Sequence, residues 1–447
     1  MDAKQSDLSC SISNLMAMSL PVIISVLSGT LMYTMDRVLL AHYSLEAMNG
    51  AGFAHQVVDI FVLPFLSFAA ISEAFVGQFN GARQFKKASD PIMQIAISLI
   101  CGWVVVFPFA ICSRSFFIPA SVYSEGNPYF CIGMIMIPFQ IINSSISAFF
   151  VGTRRPKVIL TAVLTANILN LVLDWAFIFG VGPIPPMGAK GAAIASLIAT
   201  ITSAIILGAL FFNHYNAQNY DTRHMNFDWV ILKRNLYIGA PYALSEFIEM
   251  SIWVTVLLLL EHISMDAVTL QNVGVTIWVF LAFISEGLQK GVMSLASNCI
   301  GAGKDILIRR LVRSMMWITC IWAVVSAVPL LLYPDPLLGF AFNITEATLL
   351  KDYRVLLFLL WLSYIFLLLS FSCLGGILSS GGDTKFVTCV KISSIFSCVV
   401  IPVGAFVYFG ELTALTSWWL CVFQQIFNGI FFYKRFKKGT WKHNMVN

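Results

Sequence analysis

The chain has 447 residues, of which 58% are hydrophobic and only 11% charged, with a formal net charge of +5 and a mean hydropathy of +0.83. Soluble domains carry about 25% charged residues, so this composition excludes a soluble globular protein. The apolar residues gather in runs of roughly 20, enough for a helix to cross a ~30 Å hydrocarbon core, and not in the ~10-residue alternating segments of a membrane barrel. The fold class that follows is all-α: a polytopic membrane protein.

Twelve spans are predicted, at residues 14–41, 52–79, 91–112, 129–151, 158–180, 189–212, 236–260, 268–297, 311–333, 354–380, 385–409 and 413–433. The first is too long for a signal-peptide core and lacks a small-residue cleavage site, so it is read as a retained helix. Lysine and arginine set the orientation. With the N-terminus in the cytoplasm, the internal loops hold Arg83/Lys86/Lys87, Arg154/Arg155/Lys157, Arg223/Lys233/Arg234 and Lys304/Arg309/Arg310/Arg313, and the tail holds Lys434/Arg435/Lys437/Lys438/Lys442. The opposite loops hold little beyond Arg114, Lys190, Lys351 and Arg354. Both termini are therefore expected inside, and the net positive charge follows from topology without a nucleic-acid partner. The ten cysteines are scattered, with no CxxC pair, and read as small apolar residues.

An internal repeat organises the spans. SLEA at Ser44–Ala47 recurs as SMDA at Ser264–Ala267, 220 positions on; at the same displacement Pro21 falls on Pro241 and Gly81-Ala82 on Gly301-Ala302. GTRRPK at Gly152–Lys157 resembles SGGDTK at Ser380–Lys385 after a further small insertion. Each half holds six spans and so enters from the same side, which makes the halves parallel repeats related by a pseudo-two-fold axis along the membrane normal. The expected division is an N-terminal six-helix lobe over 1–215, a cytoplasmic connecting loop over 216–235, and a C-terminal six-helix lobe with a basic tail over 236–447. Secondary transporters of this design hold substrate in the cleft between halves.

Several stretches together resemble the multidrug and toxic compound extrusion (MATE) family. They are LPVIISVLSGTLMYTMD with Pro21 and Asp36, the GQFNGAR loop after span two, NxxxD on span five (Asn170, Asp174), PPMGAKGAAIASLIAT after it, and GAPYALSEFIEMS on span seven. The resemblance covers essentially the whole chain. It implies two bundles that expel organic cations in exchange for inward Na⁺ or H⁺, and it places the family's span-seven acidic residue at Glu249. One departure is that Val355–Gly382, on span ten, carries no acidic residue, so a cation site shared between spans seven and ten is not implied.

The charged residues within spans carry the functional reading. Asn167, Asn170 and Asp174 fall on one helical stripe, which must face the protein interior, because a carboxylate in lipid costs at least ~2.5 kcal/mol. Asp36 and Asp174 each stand five or six residues short of the external end of an outward-running span, so both are expected about 8–9 Å inside the outer boundary. Two carboxylates sharing a poorly hydrated pocket repel when both are ionised, which suits them to bind one proton or one Na⁺. Asn170 and Ser196 would add neutral oxygens for Na⁺. The alternative is a structural pairing, Asp36 with its neighbour Arg37 or Asp174 with an asparagine.

Glu246 and Glu249, one turn apart on span seven, are read as substrate or cation contacts, with a proton shared between them as the alternative. Glu286 and Lys290 have the i,i+4 spacing of a helical ion pair or gate. Asp59 is placed near an interface and Glu73 near the cytoplasmic end. Trp175, Trp253, Trp278 and Trp361 offer rings suited to planar cations. GAGK at Gly301–Lys304 lacks the remaining residues of a Walker motif, and no HExxH or GxSxG occurs, so neither ATP hydrolysis nor enzyme chemistry has visible residues.

The resulting expectation is a monomeric efflux antiporter with no cofactor beyond its coupling ion. The rival is a flippase for a lipid-linked oligosaccharide or peptidoglycan precursor. It would need several basic residues to hold pyrophosphate, whereas here the interior basic residue is taken to be Lys290, with Arg37 at the rim. A receptor or scaffold would need neither the repeat nor two carboxylates at one depth.

Overall fold

A computed structural model describes residues 9–112, 114–118, 123–183, 185–224, 227–263, 265–342 and 347–442. Among these every regular element is a helix. Twelve long helices follow the twelve apolar runs: α1 (Ile12–Tyr43), α2 (Leu45–Gly81), α3 (Asp90–Cys112), α4 (Tyr123–Gly152), α5 (Lys157–Phe179), α6 (Gly188–Phe211), α7 (Trp229–Glu261), α8 (Met265–Gly301), α9 (Ile306–Ala327), α10 (Ala347–Leu367), α11 (Thr384–Ile395) and α12 (Ala414–Lys438). Ten of them, some with their continuations, are long and apolar enough to cross a membrane over the described residues. The protein is a multi-pass membrane protein.

Contacts divide the chain into two compact units. One is Pro21–Ala243; the other comprises the residues up to Leu20 and those from Leu244 on. The division falls inside α1 and α7, beside Pro21 and Pro241, and not in the polar stretch 216–235. That stretch holds a short helix, His214–Tyr220, capped by the Asn213 side chain, and Asp228 accepts the Val230 N–H at the start of α7. Both prolines sit within unbroken helix, where each removes one backbone donor from the ladder, and Ser25 Oγ donates back to the Pro21 carbonyl at 2.8 Å.

In the unit Pro21–Ala243, α2 and α4 cross closely because glycines remove side chains where they meet. A Cβ on Gly133 would stand 2.8 Å from Val58, and one on Gly152 2.7 Å from Val76. Ser44, the first residue of the repeated SLEA, is an N-cap whose Oγ accepts the Ala47 N–H at 2.9 Å; the cap explains that motif, while its counterpart Ser264 lies outside the described residues. Arg155, after α4, points its guanidinium at the rings of Phe149, Phe150, Tyr215 and Tyr220 and donates to Asn216 Oδ1 at 2.7 Å, fixing the short helix to this end of the unit.

Helices α5 and α6 form a hairpin through 180–187. Gly180, Gly182 and Gly188 adopt positive φ there, a backbone that other residues take only with strain. Gly191 then lets α6 lie against the end of α5: a Cβ would be 2.6 Å from the Phe177 carbonyl oxygen. The buried stripe of α5, Ile159, Ala162, Ala166, Asn170, Asp174 and Ile178, recurs every three to four residues. Trp175 lies off that stripe and is 58% exposed.

In the other unit, α9, α10 and α11 each pass through a wide π-helical turn, at Val328–Leu332, Leu368–Gly375 and Phe396–Val400, before α10 and α11 continue as Gly376–Ser380 and Ile401–Phe409. A proline follows or sits in two of them, Pro329 and Pro402, and removes a backbone donor from the α ladder. Around the α10 turn, Ser370 donates to Gln425 of α12 and the Ser285 and Ser372 hydroxyls of α8 and α10 meet at 2.6 Å. Such hydroxyl and amide pairs supply inter-helix attraction where lipid offers no hydrophobic drive.

Candidate functional site

The carboxylates of Asp36 on α1 and Asp174 on α5 are close enough for each to feel the other's charge. Both are buried, 4% and 0% exposed. Asn170, one turn before Asp174, is also fully buried; its Nδ2 donates to Ser196 Oγ of α6 at 3.4 Å, and Ser196 Oγ donates to Asp36 Oδ2 at 3.4 Å. The Gly191 contact that draws α6 onto α5 is what brings Ser196 into this group. Asn167, the third polar residue of the stripe, is spent elsewhere, donating to Ser28 Oγ of α1 at 2.6 Å.

What the group lacks is donors. Asp36 Oδ1, both oxygens of Asp174 and the Asn170 amide oxygen are buried without a hydrogen-bond partner. Four unpartnered oxygens, two of them on one carboxylate, are costly in a low-dielectric interior unless a positive charge joins them. Arg37 does not: its guanidinium stacks over Tyr33, 4.6 Å from the ring centroid, against the bare backbone of Gly52. No ion pair joins Arg37 to Asp36 among the described residues, so that structural alternative falls away. Asp59, placed near an interface from the sequence, pairs with His55 at 3.2 Å, and the His55 ring packs 4.2 Å from that of Tyr33. Glu73, read from the sequence as a gating or structural charge, is buried, 2% exposed.

The second carboxylate pair has a different character. Lys391 of α11, 6% exposed, places Nζ 2.6 Å from Glu246 Oε1 and 3.0 Å from Glu249 Oε2 of α7. Its ammonium also stands 4.8 Å from the Phe371 ring centroid, and Gln424 Nε2 of α12 donates to Glu249 Oε1 at 3.3 Å. This corrects two expectations. The interior basic residue is not Lys290 alone, and the two glutamates meet through a lysine instead of through a shared proton. A lysine seven residues into an apolar run was a signal in its own right, because an intramembrane charge marks a site or a partner. Lys290 itself lies 2.7 Å from Glu286, one turn away, both partly exposed. Trp278 packs inside this unit, 6.0 Å from Trp418 and 6.4 Å from Tyr364, while Trp361 is tied to the Ala323 carbonyl.

The sequence matches the MatE family model over residues 21–176 and again over 241–405, well over half the chain. The chain belongs to the MatE family. The two matched blocks are offset by about the displacement read from SLEA and SMDA, so the repeat is a property of the family model as well. The MatE chain is 23% identical over 358 residues to a probable multidrug resistance protein NorM of Neisseria meningitidis, covering 77% of this chain and 76% of the relative. A probable multidrug resistance protein NorM of Thermotoga maritima is 21% identical over 428 residues, covering 92% and 89%. Among solved structures, the Vibrio cholerae MATE transporter VcmN superimposes with a TM-score of 0.82 at 16% identity over 98% and 99% of the two chains. As a MatE protein the chain is a membrane transporter and not an enzyme, and its twelve helices match the fold of these transporters.

Proposed function

We propose that this transporter exports organic cations of several kinds and takes Na⁺ or H⁺ in exchange, by alternating access. The observation that carries the reading is the donor-poor group Asp36, Asp174, Asn170 and Ser196. Its unpartnered oxygens ask for a small cation that can come and go, since the nearby arginine is committed to an aromatic ring. A proton would use the two carboxylates; Na⁺ would also draw on the Asn170 and Ser196 oxygens. A cation that binds one conformation better than another shifts the balance between them, and so couples its own gradient to drug release. Pro21 and Pro241 offer α1 and α7 places to bend as the charge changes. The names of the Neisseria and Thermotoga relatives support multidrug export.

The basic loops support a topology with both termini in the cytoplasm of a plasma (inner) membrane, and the protein is read as a monomer. The flippase reading needs basic groups free to hold pyrophosphate. Lys391 and Lys290 are both engaged by glutamates, which supports cationic cargo instead. The test is ethidium accumulation in cells. Expression lowers it, and Asp174→Asn restores it; export that survives Asp174→Asn, or unchanged accumulation across a broad panel of cations, overturns the proposal. Transport in vesicles with sodium and pH gradients imposed separately then identifies the coupling ion.

A further inference from the structure

Lys391 occupies the kind of place an organic ammonium would take. It has an anionic oxygen on either side, at 2.6 and 3.0 Å, and an aromatic face at 4.8 Å. Its own side chain is 7% exposed, whereas Glu246 and Glu249 keep 28% and 26% of theirs open. The carboxylates are therefore reachable from one side with the ammonium tethered behind them, and Gln424 holds Glu249 by its other oxygen. Two carboxylates and one ammonium leave a single net negative charge. We propose that Lys391 is a specificity-determining residue: it sets the charge of the Glu246/Glu249 site to minus one and so confines it to singly charged organic cations.

The inference rests on the reading of Glu246 and Glu249 as substrate contacts, and goes beyond it by naming the valence of the cargo. A second positive charge on the substrate would find no unpaired carboxylate, and would meet the Lys391 ammonium at close range. Removing that ammonium frees one unit of negative charge a few ångströms away in a half-buried site, which shifts the relative affinity for a dication by roughly tenfold or more.

The experiment uses the full chain in detergent and two probes that share a phenanthridinium ring, ethidium with one charge and propidium with two. Their binding is read by fluorescence. The wild type favours ethidium. Lys391→Met raises the propidium-to-ethidium affinity ratio by roughly tenfold, whereas Lys391→Arg leaves it at the wild-type value. The double variant Glu246→Gln/Lys391→Met has minus one again and returns to the wild-type ratio. A wild type that binds ethidium, with a ratio unmoved by Lys391→Met, overturns the inference and leaves the cation-export reading standing. A wild type that binds neither probe overturns that reading and this inference with it. Should Lys391→Met fail to fold, a ratio shifted in the arginine or the double variant overturns the inference equally, since a lysine needed only for packing would not tie the ratio to net charge.

Discussion

The two units each hold a pair of carboxylates contributed by long helices, buried in one unit and partly open in the other, and the pairs are solved differently. Asp36 and Asp174 face each other with a hydroxyl and an amide for company and no fixed positive charge. Glu246 and Glu249 carry their counter-charge with them, in Lys391. The comparison shows why carboxylates in a span cannot be assigned a role from their type alone. What matters is how much of the counter-charge the protein itself supplies. Where it supplies one ammonium for two carboxylates, a single negative charge is left for an outside cation; where it supplies none, the site is complete only with something borrowed from outside.

Breaking the contrast at its sharpest point, Asp174→Asn or Asp36→Asn should reduce ion-driven transport in vesicles by roughly tenfold or more, while leaving ethidium binding at the Glu246/Glu249 site of the solubilised protein within about twofold. Equal losses in both measurements would erase the distinction between the units. Gly191→Val should come next. The added side chain meets the Phe177 carbonyl, so α6 must shift; thermal unfolding in detergent should report a loss of about 1–3 kcal/mol, with transport falling as Ser196 leaves Asp36.

In the other unit, Lys391→Met and Glu246→Gln should each destabilise the protein, and together should cost less than their sum, with an interaction of about 0.5–3 kcal/mol in a double-variant cycle. Strict additivity there would mean the ion pair has no energetic existence. Ser196→Ala should have the smallest effect, weakening the coupling ion by about 1 kcal/mol, and it sharpens the choice of ion: a sodium-driven protein should feel the loss more than a proton-driven one.

The parts of this molecule that the sequence announces are those fixed by counting along one helix. Asp36 and Asp174 stand at similar distances from the C-terminal ends of their helices, so a common level follows from helical rise and direction. Glu286 and Lys290 are one turn apart, and their pairing needs no tertiary information. Lys391 shows the limit. Its partners lie about 145 positions away, in α7, and nothing in either run states the rotation of α11 against α7. Hydropathy averaging over the run 385–409 also hides one lysine among many apolar neighbours. The wide turns of α9, α10 and α11 escaped for a related reason: an apolar run reads the same whether its helix keeps phase or slips. The contact boundary inside α1 and α7 likewise has no composition signal, because a helix can leave one set of neighbours for another without a loop.

The wide turn at Leu368–Gly375 means that, in this stretch, how many residues there are weighs as much as which ones. An additional residue in a turn swings everything after it by about 100°. Gly376, now lying 3.3 Å by its would-be Cβ from the Gln289 carbonyl of α8, owes its bearing to that surplus. Deleting a single residue there would tighten the turn into an ordinary one and point the glycine elsewhere, offering a bulkier neighbour to the α8 backbone. Length, not polarity, is the quantity this part of the chain has to keep.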